Sequence, residues 1–201
     1  MKRFILIIYI LFINNCLHSQ DMNVIELNDF PAGVSYDGEI IESIQWKDKL
    51  GLHYLIITYE STGSFFGPNW KAILRGYEYL VTKDKVDLVW DIIDYSTNPY
   101  TNVLFVSNSL RISDLNNDGI CESMFIYVIN PDGLDPAKAK LIFHNHSDKL
   151  AIRGLLPKIK DDDKLYEKNV DNAFKSNKNE FLVEASNYWD KFYNYYKLTF
   201  W

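Results

Sequence analysis

The sequence predicts a β-rich α+β fold: an antiparallel sheet or sandwich of successive hairpins, with one C-terminal helix packed on it. Between residues 39 and 153, apolar, β-branched and aromatic segments alternate with short turns rich in Gly, Asn, Asp and Lys, which is typical of strands joined as hairpins. Near the C-terminus, apolar residues instead return every three or four positions, as on one face of a helix. The 201 residues, 47% of them hydrophobic, are enough for one well-buried core.

The N-terminus predicts export from the cytoplasm. Lys2 and Arg3 precede an unbroken apolar run over residues 4–13, which is too short for a membrane span and has the layout of a signal peptide. We expect residues 1–19 to be removed after Ser19, leaving a single β-rich domain over residues 20–201. The alternative is a lipid anchor on Cys16. Either outcome places the protein in the periplasm or at the cell surface or outer membrane.

Each predicted hairpin is bounded by its own turn signal. The first pair of strands surrounds a turn that ends in Gly51, the second surrounds Lys83-Asp84-Lys85, and the fourth turns at residues 145–148. The predicted strand pairs are 39–46 with 52–59, 70–82 with 86–93, 103–106 and 110–112 with 124–129, and 138–146 with 150–153.

The C-terminal helix is predicted over about residues 178–195. Phe181, Ala185, Trp189 and Phe192 recur at helical spacing, and Asn177 with a glutamate three residues later resembles a capping box. This aromatic stripe is more typical of a core-facing surface than of a sugar platform. We expect the last four residues, 198–201, to dock on the sheet.

The segment 114–122 carries the strongest chemical signal in the chain. Its oxygen-bearing side chains stand at positions 1, 3, 5 and 9 of a loop that has glycine at position 6, the spacing of a calcium-binding loop. The sequence therefore predicts a structural calcium ion. The predicted ligands are the side chains of Asp114, Asn116, Asp118 and Glu122 and the backbone carbonyl of Ile120.

This loop differs from an EF-hand, which lies between helices and closes with glutamate at position 12. Position 12 is Phe125, and the flanking segments have strand composition. The pattern therefore predicts a hairpin loop like the calcium hairpins of integrin-type (FG-GAP) propeller blades, although the motif occurs only once. The alternative is an Asn/Asp/Gly turn that binds no ion.

Charge and cysteine content exclude several classes of function. The formal net charge of −6 disfavours nucleic acid or anionic membrane surfaces as partners. After the predicted cleavage only Cys121 remains, so no internal disulfide can form, and we expect this cysteine to be a small buried residue. No other apolar run is long enough to make a transmembrane span in the mature chain.

Six groups of residues, spread over nearly all of the chain after residue 19, carry a resemblance to a known family. They are 46–51 with the strand 54–58, Trp90 with Asp94, 113–122, 140–142, 149–154, and Phe174 with the region of Trp189. In these segments the chain resembles small exported proteins of Bacteroidota-type bacteria that are associated with surface polysaccharide biosynthesis. The resemblance implies a surface glycan or envelope assembly proteins as partners, and no known reaction.

One departure from that family concerns cysteine. Its members commonly carry one cysteine after the Trp-Asp segment and another after the calcium-like hairpin. This chain has Tyr95 and the segment 130–136 at those places, so no family disulfide is implied here, while the cation loop matches.

The alternative function is that of a carbohydrate-acting enzyme using paired carboxylates from among Glu60, Asp91 and Asp94. His144 and His146, two positions apart, are a weaker metal candidate. The loop 61–69, with its aromatic residues, is a candidate ligand groove or a hairpin loop. We favour the non-catalytic function, because no nucleophile, phosphate or metalloprotease motif is present.

Overall fold

The computed structural model describes residues 30–65, 67–159, 163–176 and 179–200. The predicted signal peptide, Cys16 and the capping residue Asn177 lie outside these residues. The described chain is β-rich, as the sequence predicts. Its elements are β1 Glu39–Lys47, β2 Leu52–Thr62, β3 Lys71–Val81, β4 Val86–Ser96, β5 Thr101–Phe105, β6 Arg111–Ser113, β7 Glu122–Pro131, β8 Ala137–Asn145, β9 Asp148–Leu156, a 3-10 turn Asp163–Leu165, β10 Asn169–Val170, α1 Ala173–Ser176 and α2 Asn179–Phe200.

The strands form two antiparallel sheets. The first sheet has the order β1-β2-β3-β4, so each strand pairs with its neighbour in sequence. The second has the order β10-β9-β8-β7-β5, and β6 also pairs with β7. The four predicted hairpins therefore all form, because the turn residues reverse the chain where the apolar segments end.

The two sheets pack face to face around one apolar cluster. Leu55, Ile57 and Leu74 of the first sheet meet Phe125 and Ile142 of the second. Side chains on a strand alternate between faces, so the second sheet also has an opposite apolar face. Helix α2 covers that face with the predicted aromatic stripe, which gives a sheet–sheet–helix arrangement.

Helix α2 runs further than the sequence predicts, to Phe200 instead of about residue 195. Leu198 lies in the helix with 87% of its surface exposed, so the expectation that this residue docks on the sheet is wrong. The helical hydrogen bonds continue because residues 195–199 contain neither proline nor glycine to end them. No helix of the described chain is long and apolar enough to cross a bilayer.

Candidate functional site

The predicted cation loop joins β6 to β7, and Ser113 pairs with Glu122 where the two strands meet. It is therefore a hairpin loop between strands, as its flanks predict. Asn117 and Gly119 adopt left-handed backbone conformations, with φ of 57° and 86°. Asparagine and glycine tolerate these conformations better than other residues, so these two positions allow the chain to reverse.

The oxygen-bearing side chains of the loop turn back onto its own backbone. Asp114 accepts hydrogen bonds from the N–H groups of Asp118 and Gly119, at 3.1 and 2.9 Å. Asn116 Oδ1 accepts the Asp118 N–H at 2.9 Å, and Asp118 Oδ1 accepts the Ile120 N–H at 2.9 Å. These bonds hold three predicted ligand side chains against one small loop, and each carboxylate keeps further lone pairs.

Glu122 closes the loop from the strand side and is only 2% exposed. Its Oε2 accepts the N–H of Leu115 at 2.8 Å, and its Oε1 accepts the side-chain amide of Asn116 at 3.0 Å. Burial, assisted by the charges of Asp114 and Asp118, raises the pKa of Glu122 to about 7. A divalent cation suits this donor set, because it would offset both the lost solvation and the mutual repulsion.

The structure thus places all five predicted ligand residues on one loop, but their carboxylates are turned in different directions. Among the described residues, no three His, Cys, Asp or Glu side chains converge closely enough to form a metal-binding group. Glu122 is directed to Leu115 and Asn116, whereas Asp114 is directed to the backbone at Asp118 and Gly119. The residue types fit calcium, and binding would require Glu122 to turn toward the aspartates.

The turn between β1 and β2 is docked against this loop. The backbone N–H of Lys49 donates to the Gly119 carbonyl at 2.9 Å, and Lys49 Nζ reaches the Asp118 carbonyl at 3.5 Å. Asp48 Oδ2 accepts the N–H of Cys121 at 3.0 Å. The segments 46–51 and 113–122, which both carry the predicted family resemblance, are therefore in direct contact.

From Asp48 a chain of buried polar contacts leads into the space between the sheets. His53 lies between two carboxylates, with Nε2 at 3.1 Å from Asp48 Oδ1 and Nδ1 at 2.9 Å from Glu78 Oε1. Glu78 Oε2 accepts the indole N–H of Trp90 at 2.6 Å and the hydroxyl of Ser123 at 3.3 Å. This network of polar contacts connects both sheets to the cation loop.

The electrostatics of this buried polar network favour the positively charged form of His53. Burial opposes the imidazolium form, but the hydrogen bonds to Asp48 and Glu78 and their negative charges outweigh it and raise the pKa of His53 to about 9. Burial likewise opposes ionised Asp48, yet the hydrogen bond from His53 leads the contributions that lower its pKa. His53 is therefore positively charged at neutral pH and stacks on Trp46, with ring centroids 4.8 Å apart.

Sequence reasoning missed this network. Its only sequence signals are Glu78 and His53, polar residues on the inward-facing side of apolar strands. Such residues indicate a buried polar contact only when their partners are known. Asp48 lies in a turn, where aspartate is common, so the sequence gives no sign of its buried role. Cys121 is buried as expected, and burial raises the pKa of its thiol to about 12, so it is not an activated nucleophile.

The three carboxylates proposed for catalysis do not face one cleft. Strand register places Glu60 and Asp91 on the outer face of the first sheet, and Asp94 on the face that meets the second sheet. Glu60 is paired with Arg75 at 2.7 Å. Asp94 accepts hydrogen bonds from the Tyr127 hydroxyl, at 2.9 Å, and from Lys140.

The two weaker candidates also remain apart. His144 is buried in β8, whereas His146 is exposed in the following turn with φ of 52°. The left-handed conformation of His146 takes it out of the strand, so the two rings do not share a strand face.

The candidate ligand loop 61–69 follows β2. In this loop Phe65 is 52% exposed and packs edge-on against Trp70, with ring centroids 5.8 Å apart.

Comparisons with protein-family models, with curated proteins and with solved structures find no match to this chain. The resemblance described from the sequence stays a prediction.

Proposed function

We propose that this chain is an exported, non-catalytic protein associated with the biosynthesis or assembly of cell-surface polysaccharide, such as lipopolysaccharide or capsule. It acts by binding a surface glycan or an envelope assembly protein, and its hairpin loop 114–122 holds a structural calcium ion. The surface-polysaccharide setting comes from the family resemblance, and the calcium from the loop.

One observation carries the calcium proposal: Asp114, Asp118 and the buried Glu122 share one loop that is latched to the β1–β2 turn. The backbone hydrogen bond from Lys49 to Gly119 and the bond from the Cys121 N–H to the Asp48 carboxylate make this loop part of the packing between elements. A cation that holds the loop in shape therefore stabilises more than the loop itself. Calcium would supply charge neutralisation, while the chain supplies the oxygen donors.

Two observations favour binding over catalysis. Asp94 lies on the opposite face of the sheet from Glu60 and Asp91. Glu60 pairs with Ile73 and Asp91 with Tyr77, an offset of roughly 16 Å across two strands and along β3, which is too far for a catalytic pair. Cys121 is buried, and its high thiol pKa keeps it protonated. A carbohydrate-acting enzyme is the alternative, and it predicts release of reducing ends when the protein is incubated with isolated surface glycans.

The calcium proposal is tested by thermal unfolding with and without calcium. An extracellular-type site has a Kd of about 10⁻⁴–10⁻³ M, so 10 mM calcium is a roughly tenfold to hundredfold excess and stabilises the fold by about 1.4–2.7 kcal/mol. For a domain of this size that corresponds to a rise in Tm of roughly 3–10 °C. No rise at 10 mM calcium would refute the site.

Two double variants, each of which removes two aspartate charges, test whether calcium binds at the loop 114–122. Asp114→Asn with Asp118→Asn should abolish the calcium-dependent rise in Tm. Asp132→Asn with Asp135→Asn, in the exposed turn between β7 and β8, should retain it. Equal behaviour of the two double variants would show that calcium acts elsewhere.

The export proposal is tested by the mass of the mature N-terminus. Cleavage after Ser19 gives an unmodified chain that begins at residue 20. Processing at Cys16 gives a chain that begins with an acylated cysteine and partitions into detergent. A full-length chain in the cytoplasm would refute export.

A further inference from the structure

Strands β8 and β9 carry four basic side chains on one face of the second sheet. Lys140 lies opposite Arg153, Lys149 lies opposite His144, and Lys138 is two positions before Lys140. Since alternate residues of a strand share a face, all four project from the same side of the sheet. We call Lys138, Lys140, Lys149 and Arg153 the basic ledge.

The first sheet covers only part of this face. Trp90 of its edge strand β4 stacks on His144, with ring centroids 3.8 Å apart, and Asp94 of the same strand contacts Lys140. Beyond this edge the face reaches solvent: Lys138, Lys149 and Arg153 are exposed, and Lys140 is half-buried. The basic ledge is thus an accessible surface beside the sheet–sheet core.

The positive charge of the ledge is only partly neutralised. Lys140 is paired with Asp94, and Arg153 with Asp171 at 2.6 Å. Within the described part of the chain, neither Lys138 nor Lys149 has a carboxylate within ion-pairing distance. Burial and the repulsion from Arg153 and Lys140 lower the pKa of Lys149, which is the effect of like charges gathered on one surface.

The extent of the ledge favours a polymeric anion over a small one. Lys138 pairs with Leu155, which follows Lys149 by six positions on β9. At about 3.3 Å per strand residue this separates the two lysines by roughly 20 Å along the sheet. One phosphate or carboxylate cannot contact both, whereas an extended chain that carries repeated anionic groups can.

We propose that the basic ledge binds an extended acidic polysaccharide whose sugars carry carboxylates, a ligand class that rests on the proposed association with surface glycans. Arg153 presents a planar fork of donors to a carboxylate, and the lysines act as compact point charges on either side. The net charge of the chain is −6, which disfavours nucleic acid because of its dense phosphate charge. A sugar polymer spaces its charges more widely and suits a local basic surface.

Isothermal titration calorimetry of the full mature protein with polygalacturonate tests the proposal. Neutral dextran and single-stranded DNA are the comparison ligands. The titrations are run in EDTA and again in calcium, so that calcium bridging of the polymer is recognised. We expect polygalacturonate to bind, dextran and DNA not to bind, and affinity to fall as salt rises. Binding of dextran or of DNA as tight as that of polygalacturonate would overturn the proposal.

Two double variants with the same change in charge locate the site. Lys138→Gln with Lys149→Gln should weaken polygalacturonate binding at least tenfold. Lys83→Gln with Lys191→Gln, on the β3–β4 turn and the exposed side of α2, should change it less than twofold. Equal losses would overturn the assignment to the ledge.

The outcome is separable from that of the proposed function. A calcium-dependent Tm without polyanion binding refutes the ledge alone. If polygalacturonate still binds after the ledge substitutions, the protein binds glycans through another surface, and the assignment to the basic ledge is wrong.

Discussion

The backbone N–H of Cys121 donates a 3.0 Å hydrogen bond to Asp48 Oδ2, and the two residues are 73 positions apart in the chain. The other oxygen of the same carboxylate contacts His53 Nε2 at 3.1 Å and accepts the N–H of Leu50 at 2.8 Å. One fully buried carboxylate therefore fixes the cation loop, the β1–β2 turn and a buried imidazole relative to one another. The stability of the loop depends on the interior of the first sheet as well as on its own residues.

Asp48→Ala should be strongly destabilising. The substitution leaves His53 with one carboxylate partner instead of two and leaves the N–H of Cys121 without its acceptor. Removal of one partner from a buried ion pair costs about 3–5 kcal/mol, and urea unfolding measures it. Asp84→Ala, in the exposed β3–β4 turn, is the control and should change stability by less than about 0.5 kcal/mol. A similar small loss for both variants would contradict the role of Asp48.

The charge on His53 makes stability depend on pH at the alkaline side. The folded pKa of about 9 lies above the ordinary histidine pKa of 6.5, so the folded state holds this proton more tightly than the unfolded state. The contribution is complete below pH 6.5 and is lost as pH rises from 6.5 through 9.

His53→Gln should therefore lower stability at pH 6 and flatten the decline between pH 6.5 and 9. Urea unfolding across this range measures the effect, and His146→Gln, in an exposed turn, should leave the profile unchanged. An identical alkaline decline in wild type and His53→Gln would show that another group titrates.

Residues 39–156 show how far the sequence determines the fold. The turns at Gly51, at 83–85 and at 145–148 contain the residues that reverse a strand, so each hairpin was predictable from local chemistry. The helix was predictable because Phe181, Ala185 and Trp189 repeat at its own period.

The arrangement between hairpins was not predictable in the same way. The division into two sheets between β4 and β5, the short strand β10, and the docking of the β1–β2 turn on the cation loop all depend on long-range packing. Asp48 gives no local sign that Cys121 will be its partner. For the same reason the sequence correctly predicted a loop between strands but not the buried chain from Asp48 to Glu78.

Gly154→Ala should be destabilising because three elements meet at this residue. A Cβ there would overlap the carbonyl oxygen of Glu167 and lie 2.8 Å from Trp189 Cζ2 on helix α2. The neighbouring backbone pair, Leu155 N to Glu167 O at 3.2 Å and Glu167 N to Leu155 O at 3.1 Å, would have to separate. We expect the free energy of unfolding to fall by about 3 kcal/mol or more, at or above the upper end of the cost typical of overpacking.

The control for this substitution is Gly133→Ala, where no atom lies within 4 Å of the added Cβ but φ is +77°. It should cost only about 1–2 kcal/mol, the penalty of the left-handed conformation. If thermal or urea unfolding gave Gly154→Ala the smaller loss, the close contact of β9 with residue 167 would be wrong.

His144→Phe should leave stability unchanged or raise it by up to about 2 kcal/mol. His144 is 1% exposed, and neither ring nitrogen has a hydrogen-bond partner among the described residues. A buried polar group without a partner costs about 1–3 kcal/mol, while a phenyl ring of similar shape keeps the stack on Trp90.

The same substitution should also reduce sensitivity to acid. Burial, assisted by the charge of Lys149, lowers the pKa of His144 to about 3, so the unfolded state binds this proton more readily than the folded state. Stability is therefore lost as pH falls from 6.5 toward 3, and His144→Phe should remove that part of the decline.

The matched comparison is His53→Phe, at a histidine that is equally buried but bonded through both ring nitrogens. It should lose more than about 3 kcal/mol, because it leaves Asp48 and Glu78 as buried carboxylates without their shared cation. Urea unfolding of both variants at pH 7 measures the difference. Equal losses would mean that the ring nitrogens of His144 are bonded in solution, because a histidine without partners has no hydrogen bonds to lose.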